Sequence, residues 1–404
     1  MENIMPDNKK LAIHGGKPVR DVYLPYGKQW IDDDDIKAVK NALNQDLITT
    51  GPTIAQFENT IKDFVGATYA VAFANGTAAL HAACYAAGIK ENDEVITTPL
   101  TFAASANTIL YVGGKPVFAD IDPKTYNISS ESIKRLINER TKAIITVDFT
   151  GQPVQYEKIL SLAEDYGIAV IADAAHALGA RYKKDYVGSI ADMTMFSFHP
   201  VKHITTGEGG IITTDDEDYD RQLRLFRSHG ITREPRMLRK LEGAWYYEMQ
   251  DLGYNYRMTD LQAALGLSQC NKLKTFLTRR RQIAEKYNVS FKEIAEITIP
   301  FQQQGCYSSW HLYIIRLHLE KLKVDRNTIF DALKAENIGV NVHYIPVYLH
   351  PYYQQLGYKK GLCLQAEQFY HDCITLPLFP KMSDQDVDDV VAGVKKVISY
   401  YANH

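Results

Sequence analysis

The sequence predicts an α/β fold: a mostly parallel central sheet with helices on both faces, followed by a smaller α+β C-terminal domain. Short apolar strands alternate with helical stretches from about residue 70 to residue 173, as in successive βαβ units. After about Gln262 this alternation gives way to a long helical stretch rich in Leu, Lys and Arg. A chain of 404 residues is also longer than one core usually supports, so two domains are expected.

The first unit shows the pattern most clearly. Tyr69–Phe73 is a short apolar strand, and the turn Asn75-Gly76-Thr77 leads into an Ala-rich helix over 78–87 that ends at Gly88. The later predicted strands lie at 94–98, 117–120, 143–148 and 168–172, and the later predicted helices at 102–112 and 156–166.

The C-terminal region lacks the regular alternation of strands and helices. A helix is predicted over 262–281, and strand-like segments follow at 312–317 and 339–343. The segment 232–251 matches no regular pattern and is open to two interpretations, a lid over a substrate or a solvated loop. We expect an N-terminal arm at 1–22, a large domain at 23–270 and a small domain at 271–404.

Composition excludes several classes of function. The net charge of -3 and pI of about 6.5 give no electrostatic case for binding nucleic acid or an anionic membrane. The polar N-terminus lacks the apolar core of a signal peptide, and no apolar run reaches the roughly 18 residues of a membrane helix. The five cysteines are scattered without CxxC pairs, which predicts a cytoplasmic protein without disulfides. No metal site is predicted.

Two residues stand out as candidates for chemistry. Asp173 directly follows the strand at 168–172, and ligands of parallel sheets bind at the carboxyl ends of the strands. The alternative interpretation of Asp173 is a helix N-cap. Lys202 lies between apolar residues and a glycine-rich turn, a setting that would desolvate its amine and lower its pKa. The alternative is a lysine on a surface loop.

Further candidates surround this pair in the predicted fold. Gly76, Thr77 and Ala78 join a strand to a helix, and free N–H groups at a helix start bind phosphate. Ser197 could also donate to a phosphate, and Phe102 could stack on a flat ring, although a place in the core is the plainer interpretation. Together with Lys202 and Asp173, these groups match what pyridoxal 5′-phosphate (PLP) requires: a lysine, a carboxylate for the pyridine nitrogen, a phosphate cradle and a ring platform.

The order of these motifs resembles the sugar aminotransferase family of fold-type I PLP enzymes, which act on nucleotide-linked keto sugars. The resemblance covers the chain from Leu24 to about Val397. The segments that carry it are Asn75–Leu80, Thr98–Ala103, Asp173–Gly179, Ser197–Gly210 and Gly253–Asp260.

The resemblance implies a role for each matched residue. Lys202 would bind the cofactor covalently and move the proton, and Asp173 would pair with the pyridine nitrogen. His176 stands where the family has Gln or His near the ring. Thr77, Ala78 and Ser197 would hold the phosphate and Phe102 would stack on the ring. Asn255 would reach the phosphate site of a neighbouring subunit, which implies a homodimer with shared active sites.

Within the family, the chain most resembles the aminotransferases of pseudaminic acid biosynthesis. These transfer an amino group, with L-glutamate as the usual donor and 2-oxoglutarate as the by-product, to C4 of a UDP-linked 4-keto-6-deoxy-N-acetyl-L-altrosamine. The resemblance rests on segments 24–28, 47–51, 226–230, 255–260, 265–269 and 342–346. It implies that the sugar site is lined by Tyr26, Thr49, His343 and Tyr344, although His343 and Tyr344 could equally be a packed strand end.

Three alternatives remain at this point. Some family members are dehydratases in which histidine replaces the cofactor lysine, and Lys202 argues against that activity. An aminotransferase for another nucleotide sugar, such as the D-gluco 4-keto sugar, is left open. A non-catalytic ligand-binding protein on the same fold would be expected to lack Lys202, Asp173 or the phosphate cradle.

Overall fold

The computed structural model of the chain describes residues 10–403, and its centre is a seven-stranded sheet. The strands of all the sheets in the described residues, in chain order, are β1 Tyr69–Phe73, β2 Glu94–Thr97, β3 Lys115–Phe118, β4 Thr141–Val147, β5 Ala169–Asp173, β6 Arg181–Tyr182, β7 Asp185–Tyr186, β8 Met193–Ser197, β9 Gly210–Thr214, β10 Ile231–Thr232, β11 Glu248–Met249, β12 Ile297–Thr298, β13 Cys306–Tyr307, β14 Tyr313–Leu317 and β15 Cys373–Leu376.

The helices alternate with the strands of this sheet and then dominate the C-terminal part. In chain order they are α1 Asp33–Leu43, α2 Pro52–Val65, α3 Gly76–Ala86, α4 Ala104–Tyr111, α5 Ser130–Leu136, α6 Tyr156–Tyr166, α7 Glu217–Arg227, α8 Asp260–Cys270, α9 Leu273–Phe291, α10 Arg326–Ala335, α11 Pro351–Gln355, α12 Leu364–Asp372 and α13 Asp384–Tyr401. Among residues 10–403, no helix is both long and apolar enough to cross a membrane.

The central sheet has the order β1-β9-β8-β5-β4-β2-β3 and is mostly parallel. Only β9 runs against its neighbours, pairing antiparallel with β1 and β8. The parallel pair β5 and β8 sets Asp173 opposite Met195, two residues before the end of β8. The α/β fold with helices around a mostly parallel sheet is therefore confirmed, and its carboxyl edge brings the end of β5 close to the segment that carries Lys202.

Local sequence accounts for where the helices begin. In α3 the Asn75 side chain accepts a hydrogen bond from Ala78 N and caps the helix, and an apolar, Ala-rich surface lets the helix pack inside the domain. In α8 the Thr259 and Gln262 side chains form a reciprocal capping box. These caps fix the two helix starts that flank the glycine-rich turn after Lys202.

Two predictions for the C-terminal part were wrong. The stretch 262–281 is not one helix: α8 ends at Cys270, and α9 begins at Leu273 after a break at Asn271 and Lys272. The segment 339–343 is not a strand, since it makes only an isolated bridge between Asn341 and Thr375. Its backbone is instead held beside the N-terminal arm, where Gly339 N donates to Leu24 O at 2.7 Å.

The proposed domain boundary falls in the break between α8 and α9. The start of α9, including Phe276 and Leu277, packs into the core around the central sheet. Its later residues, including Ile283 and Tyr287, pack into a second core with α10, α13 and the sheet β12-β14-β15. The division into 23–270 and 271–404 stays a proposal, and residues 1–9 of the predicted arm lie outside the described residues.

The segment between Thr232 and Asp251 folds as a small ribbon. The strands β10 and β11 pair antiparallel at its base. Several large apolar side chains of the ribbon face solvent, namely Leu241, Trp245, Tyr247 and Met249. The ribbon does not line the main cavity of its own chain.

Candidate active site

A cavity of about 1220 Å³ opens at the carboxyl ends of the central strands. It gathers most of the residues that the sequence predicted for a cofactor. Its lining includes Gly76, Thr77, Ala78, Phe102, Asp173, His176, Ser197 and Lys202. Residues from turns up to 126 positions apart in the sequence therefore meet around one space, as expected for a parallel sheet.

Lys202 is partly buried in the cavity wall. Burial lowers the pKa of its amine to about 8, although Asp173 opposes this shift. Within residues 10–403, no protein group accepts a hydrogen bond from Nζ, while the backbone N–H is held by His199 O at 2.9 Å. The backbone is thus fixed and the amine is free to react.

Asp173 is only 5% exposed and ends β5. Its carboxylate accepts hydrogen bonds from Ser105 Oγ at 2.6 Å and from Ala175 N at 3.1 Å. Burial raises the pKa of Asp173, while Ser105, Ala175 and Lys202 favour its charged form. No helix follows Asp173 before β6, so the N-cap interpretation was wrong: the bond from Ala175 N belongs to a turn, and the same carboxylate faces the cavity.

The phosphate cradle is built from the start of α3 and the end of β8. Asn75 already takes the N–H of Ala78 at 2.8 Å, so the amides left for an anion are those of Gly76 and Thr77. An added Cβ at Gly76 would lie 3.3 Å from Ser197 Cβ, so the two segments meet closely. The role of Ala78 as a phosphate contact stays a prediction, and its amide is the least available of the three.

Phe102 lies at the mouth of the cavity and is 66% exposed. A phenylalanine in the core would be covered, so the core interpretation does not hold in this chain. An uncovered aromatic face beside a buried carboxylate is suited to stack against a flat ring. Its stacking role stays a prediction.

His176 sits in the cavity wall and is 4% exposed. Its Nε2 lies 3.2 Å from Tyr344 Oη, and its ring packs on His311 with centroids 4.4 Å apart. Burial holds the pKa of His176 well below its usual value, so the ring is neutral at physiological pH. A neutral imidazole keeps one nitrogen for donating and one for accepting.

The residues predicted for a substrate divide into two groups. Tyr26, His343 and Tyr344 line the cavity, and His343 is held by Thr375 Oγ1, 2.8 Å from its Nδ1. Burial lowers the pKa of His343 to about 3, so this ring is also neutral. Thr49, the fourth residue predicted for the substrate, is exposed and does not line the cavity, and the same holds for Asn255, which was predicted to reach the phosphate site of a neighbouring subunit.

Sequence reasoning missed Ser105, the donor to Asp173. It is fully buried, and Thr101 Oγ1 lies 2.7 Å from its Oγ. Ser105 lies in the first turn of α4 while Thr101 precedes that helix, so no helical spacing in the sequence marks the pair. His311 was also missed, and no local pattern distinguishes it from a core histidine.

The chemistry of these residues fits PLP. Asp173 is a buried carboxylate that forms no ion pair with a lysine or arginine among the described residues. Such a carboxylate suits a protonated pyridine nitrogen. Gly76 and Thr77 offer amides to a phosphate, and Lys202 offers a free amine of lowered pKa. The arrangement can hold PLP and move protons at a carbon beside it.

Comparisons with known proteins agree with this chemistry. The sequence pattern of the DegT/DnrJ/EryC1/StrS aminotransferase family matches residues 29–395. The chain is 43% identical to the spore coat polysaccharide biosynthesis protein SpsC of Bacillus subtilis, over 94% of this chain and 98% of SpsC.

Solved structures give the same result. Helicobacter pylori PseC, an aminotransferase involved in the biosynthesis of pseudaminic acid, superposes with a TM-score of 0.87 at 34% identity, covering 94% of this chain and 100% of PseC. Spr1654 of Streptococcus pneumoniae, a proposed sugar aminotransferase solved in a PLP form, gives a TM-score of 0.87 at 32% identity, covering 94% of this chain and 99% of that one.

Proposed function

Because the chain belongs to the DegT/DnrJ/EryC1/StrS family of PLP-dependent sugar aminotransferases, we propose that it acts on UDP-4-keto-6-deoxy-N-acetyl-β-L-altrosamine. It would move the amino group of L-glutamate to C4 of this sugar. The products would be 2-oxoglutarate and UDP-4-amino-4,6-dideoxy-N-acetyl-β-L-altrosamine, a precursor of pseudaminic acid. The observation that carries the aminotransferase activity is the presence of Lys202 and Asp173 in one cavity with the predicted phosphate cradle.

The residues of the chain divide the work of this reaction. Bound PLP supplies an aldehyde that takes up the amino group and a ring that accepts electrons. Lys202, with its lowered amine pKa, takes a proton from the donor carbon and returns one to the sugar carbon. Asp173, supported by Ser105, holds the proton on the pyridine nitrogen. Phe102 and His176, which line the cavity, would flank the ring.

The likeness to PseC supports the choice of sugar. It spans 94% of the chain at 34% identity. Tyr26, His343 and Tyr344 line the same cavity as Lys202, where a sugar would meet the reacting amine. Their neutral hydroxyl and imidazole groups suit an uncharged ring with hydroxyl and acetamido substituents.

A second candidate is a different 4-keto nucleotide sugar, such as UDP-4-keto-6-deoxy-D-GlcNAc. The observation that favours it is the higher identity to SpsC, 43%. The two sugars differ in stereochemistry, which a pocket reads through its shape. Both candidates leave Lys202 and Asp173 in the same roles.

We propose further that the enzyme works as a homodimer in the cytoplasm. Asn255 is exposed and lies outside the cavity of its own chain, which suits a residue that reaches the phosphate site of a neighbouring subunit. The five cysteines form no disulfide within the described residues, as suits a reducing compartment.

An absorption experiment tests the function. The protein loaded with PLP should show a visible band that L-glutamate bleaches and that the L-altrosamine keto sugar restores. Lys202→Ala should lack the band of lysine-bound cofactor, whereas Lys184→Ala, at an exposed lysine, should keep it. Restoration by the D-gluco sugar alone would move the enzyme to the second candidate, and a band unaffected by Lys202→Ala would overturn the assignment of the cofactor lysine.

A further inference from the structure

A second, smaller chamber lies on the far side of Lys202 from the main cavity. Lys202 lines both spaces and so stands between them. The chamber has a volume of about 10 Å³, close to the room that one water molecule needs. Its lining includes His203, Thr205 and Gln269 and also the exposed residue Lys28.

His203 is a buried polar residue of this chamber with a free bonding position. It is 3% exposed, and its Nε2 lies 3.2 Å from Ser309 O. A carbonyl oxygen can only accept, so Nε2 carries the hydrogen. Burial, reinforced by the nearby Arg280, holds the pKa of His203 well below its usual value. The ring is therefore neutral and Nδ1 is a bare acceptor, with no protein donor among residues 10–403.

Two other polar side chains of the chamber wall already form hydrogen bonds. Gln269 Nε2 donates to Trp30 O at 3.0 Å and to Asp35 Oδ2 at 2.7 Å. Thr205 Oγ1 donates to Phe198 O at 3.0 Å and accepts from Gly207 N at 2.9 Å. His203 Nδ1 is thus an available acceptor in the same chamber wall as the Lys202 amine, and Gln269 Oε1 is a second acceptor without a donor among residues 10–403.

We propose that His203 is a positioning residue for Lys202, through one water molecule that accepts a hydrogen bond from the amine and donates one to His203 Nδ1. The bridge gives the protonated amine a partner that substrate in the main cavity does not displace. Because the exposed residue Lys28 also lines the chamber, the bridge would join the amine to solvent there. A proton held on Lys202 can then exchange with solvent while the main cavity is full. The inference rests on the proposed role of Lys202.

The test titrates the Lys202 amine in the apoprotein, which needs neither substrate nor turnover. The rate of reductive methylation at Lys202 is followed by peptide mass spectrometry from about pH 6 to about pH 11. For the wild type we expect the methylation rate to reach its midpoint at about pH 8. In His203→Phe the charged amine loses its bridged partner, so the midpoint should fall by roughly one pH unit.

Two further variants separate this role from a structural one. His203→Asn keeps an acceptor oxygen at the position and should restore the wild-type midpoint. His318→Phe makes the same change at a histidine that lines neither space, and should leave the midpoint unchanged. Thermal unfolding of each variant shows whether it remains folded.

The possible outcomes separate the proposed water bridge from the proposed role of Lys202. A folded His203→Phe with the wild-type midpoint would overturn the bridge and leave Lys202 untouched. A wild-type midpoint near the ordinary value of 10.5 would instead count against Lys202 as the cofactor lysine. If His203→Phe does not fold, a high-resolution crystal structure of the wild-type enzyme decides: ordered water between Lys202 and His203 supports the bridge, and a chamber closed by protein atoms overturns it.

Discussion

Burial of the Lys202 amine should affect the stability of the apoprotein in a pH-dependent way. Its pKa is about 8 in the folded chain and 10.5 in an unperturbed lysine, so between these values the unfolded chain binds more protons at this residue. The free energy of unfolding therefore rises with pH across that window, and the full cost of the buried charge is present below it. We expect apo Lys202→Met to be more stable than the wild type at about pH 7, and the difference to shrink by about pH 10. Urea unfolding at the two pH values measures this, and a pH-independent difference would contradict it.

Ser105 allows a second test at single-residue scale. Its hydroxyl donates to Asp173 at 2.6 Å, and a hydrogen bond to a buried charge contributes roughly 1.5–3 kcal/mol. If that bond is needed to keep Asp173 charged beneath the pyridine nitrogen, Ser105→Ala should lower kcat/KM about tenfold or more. Thr101→Val is the matched control, since it removes only the contact to Ser105 and should cost less. Equal losses in both variants would mean that the bond to Asp173 has no special importance.

At the scale of elements, the phosphate cradle depends on how closely β9 approaches α3. A Cβ added at Gly210 would lie 2.6 Å from Asn75 O and 2.8 Å from Gly76 Cα. Gly210→Ala must therefore push the start of α3 away from Ser197. We expect the affinity for PLP to fall about tenfold or more while the apoprotein stays folded. Fluorescence titration with PLP gives the affinity, and circular dichroism of the apoprotein is the control. Unchanged PLP affinity would mean that the cradle lies elsewhere.

Helices and strands could be predicted where the spacing of apolar residues and the turn residues at the ends indicate the same element. The strand Tyr69–Phe73 and the helix Tyr156–Tyr166 have the predicted bounds because Gly or a polar turn marks their ends. The break between α8 and α9 was missed because Asn271 and Lys272 are both tolerated inside helices, so nothing local signals it. The segment 339–343 reads as a strand but is held beside the N-terminal arm, a contact over more than 300 residues of sequence that no local pattern contains.

The same division holds for the site. Asp173 and Lys202 could be predicted because a strand end and a glycine-rich turn mark them locally. His311 is buried 109 residues after Lys202, and its contact with His176 exists only because the C-terminal part of the chain packs against residues near the end of β5. Residues of this kind are placed by tertiary packing. The residues predicted to hold the cofactor are therefore easier to predict from the sequence than those contributed by the C-terminal part of the chain.

At the scale of the whole molecule, the position of Asn255 makes the subunit arrangement testable. If each active site takes Lys202 from one subunit and Asn255 from the other, homodimers of Lys202→Ala should be inactive and homodimers of Asn255→Ala impaired. Unfolding and refolding the two variants together makes mixed dimers in which one site has both residues intact. Random mixing should then restore about a quarter of the wild-type activity. A mixture no more active than the average of its parents would place Asn255 in the site of its own chain or outside the site altogether, because neither site of a mixed dimer would then be whole.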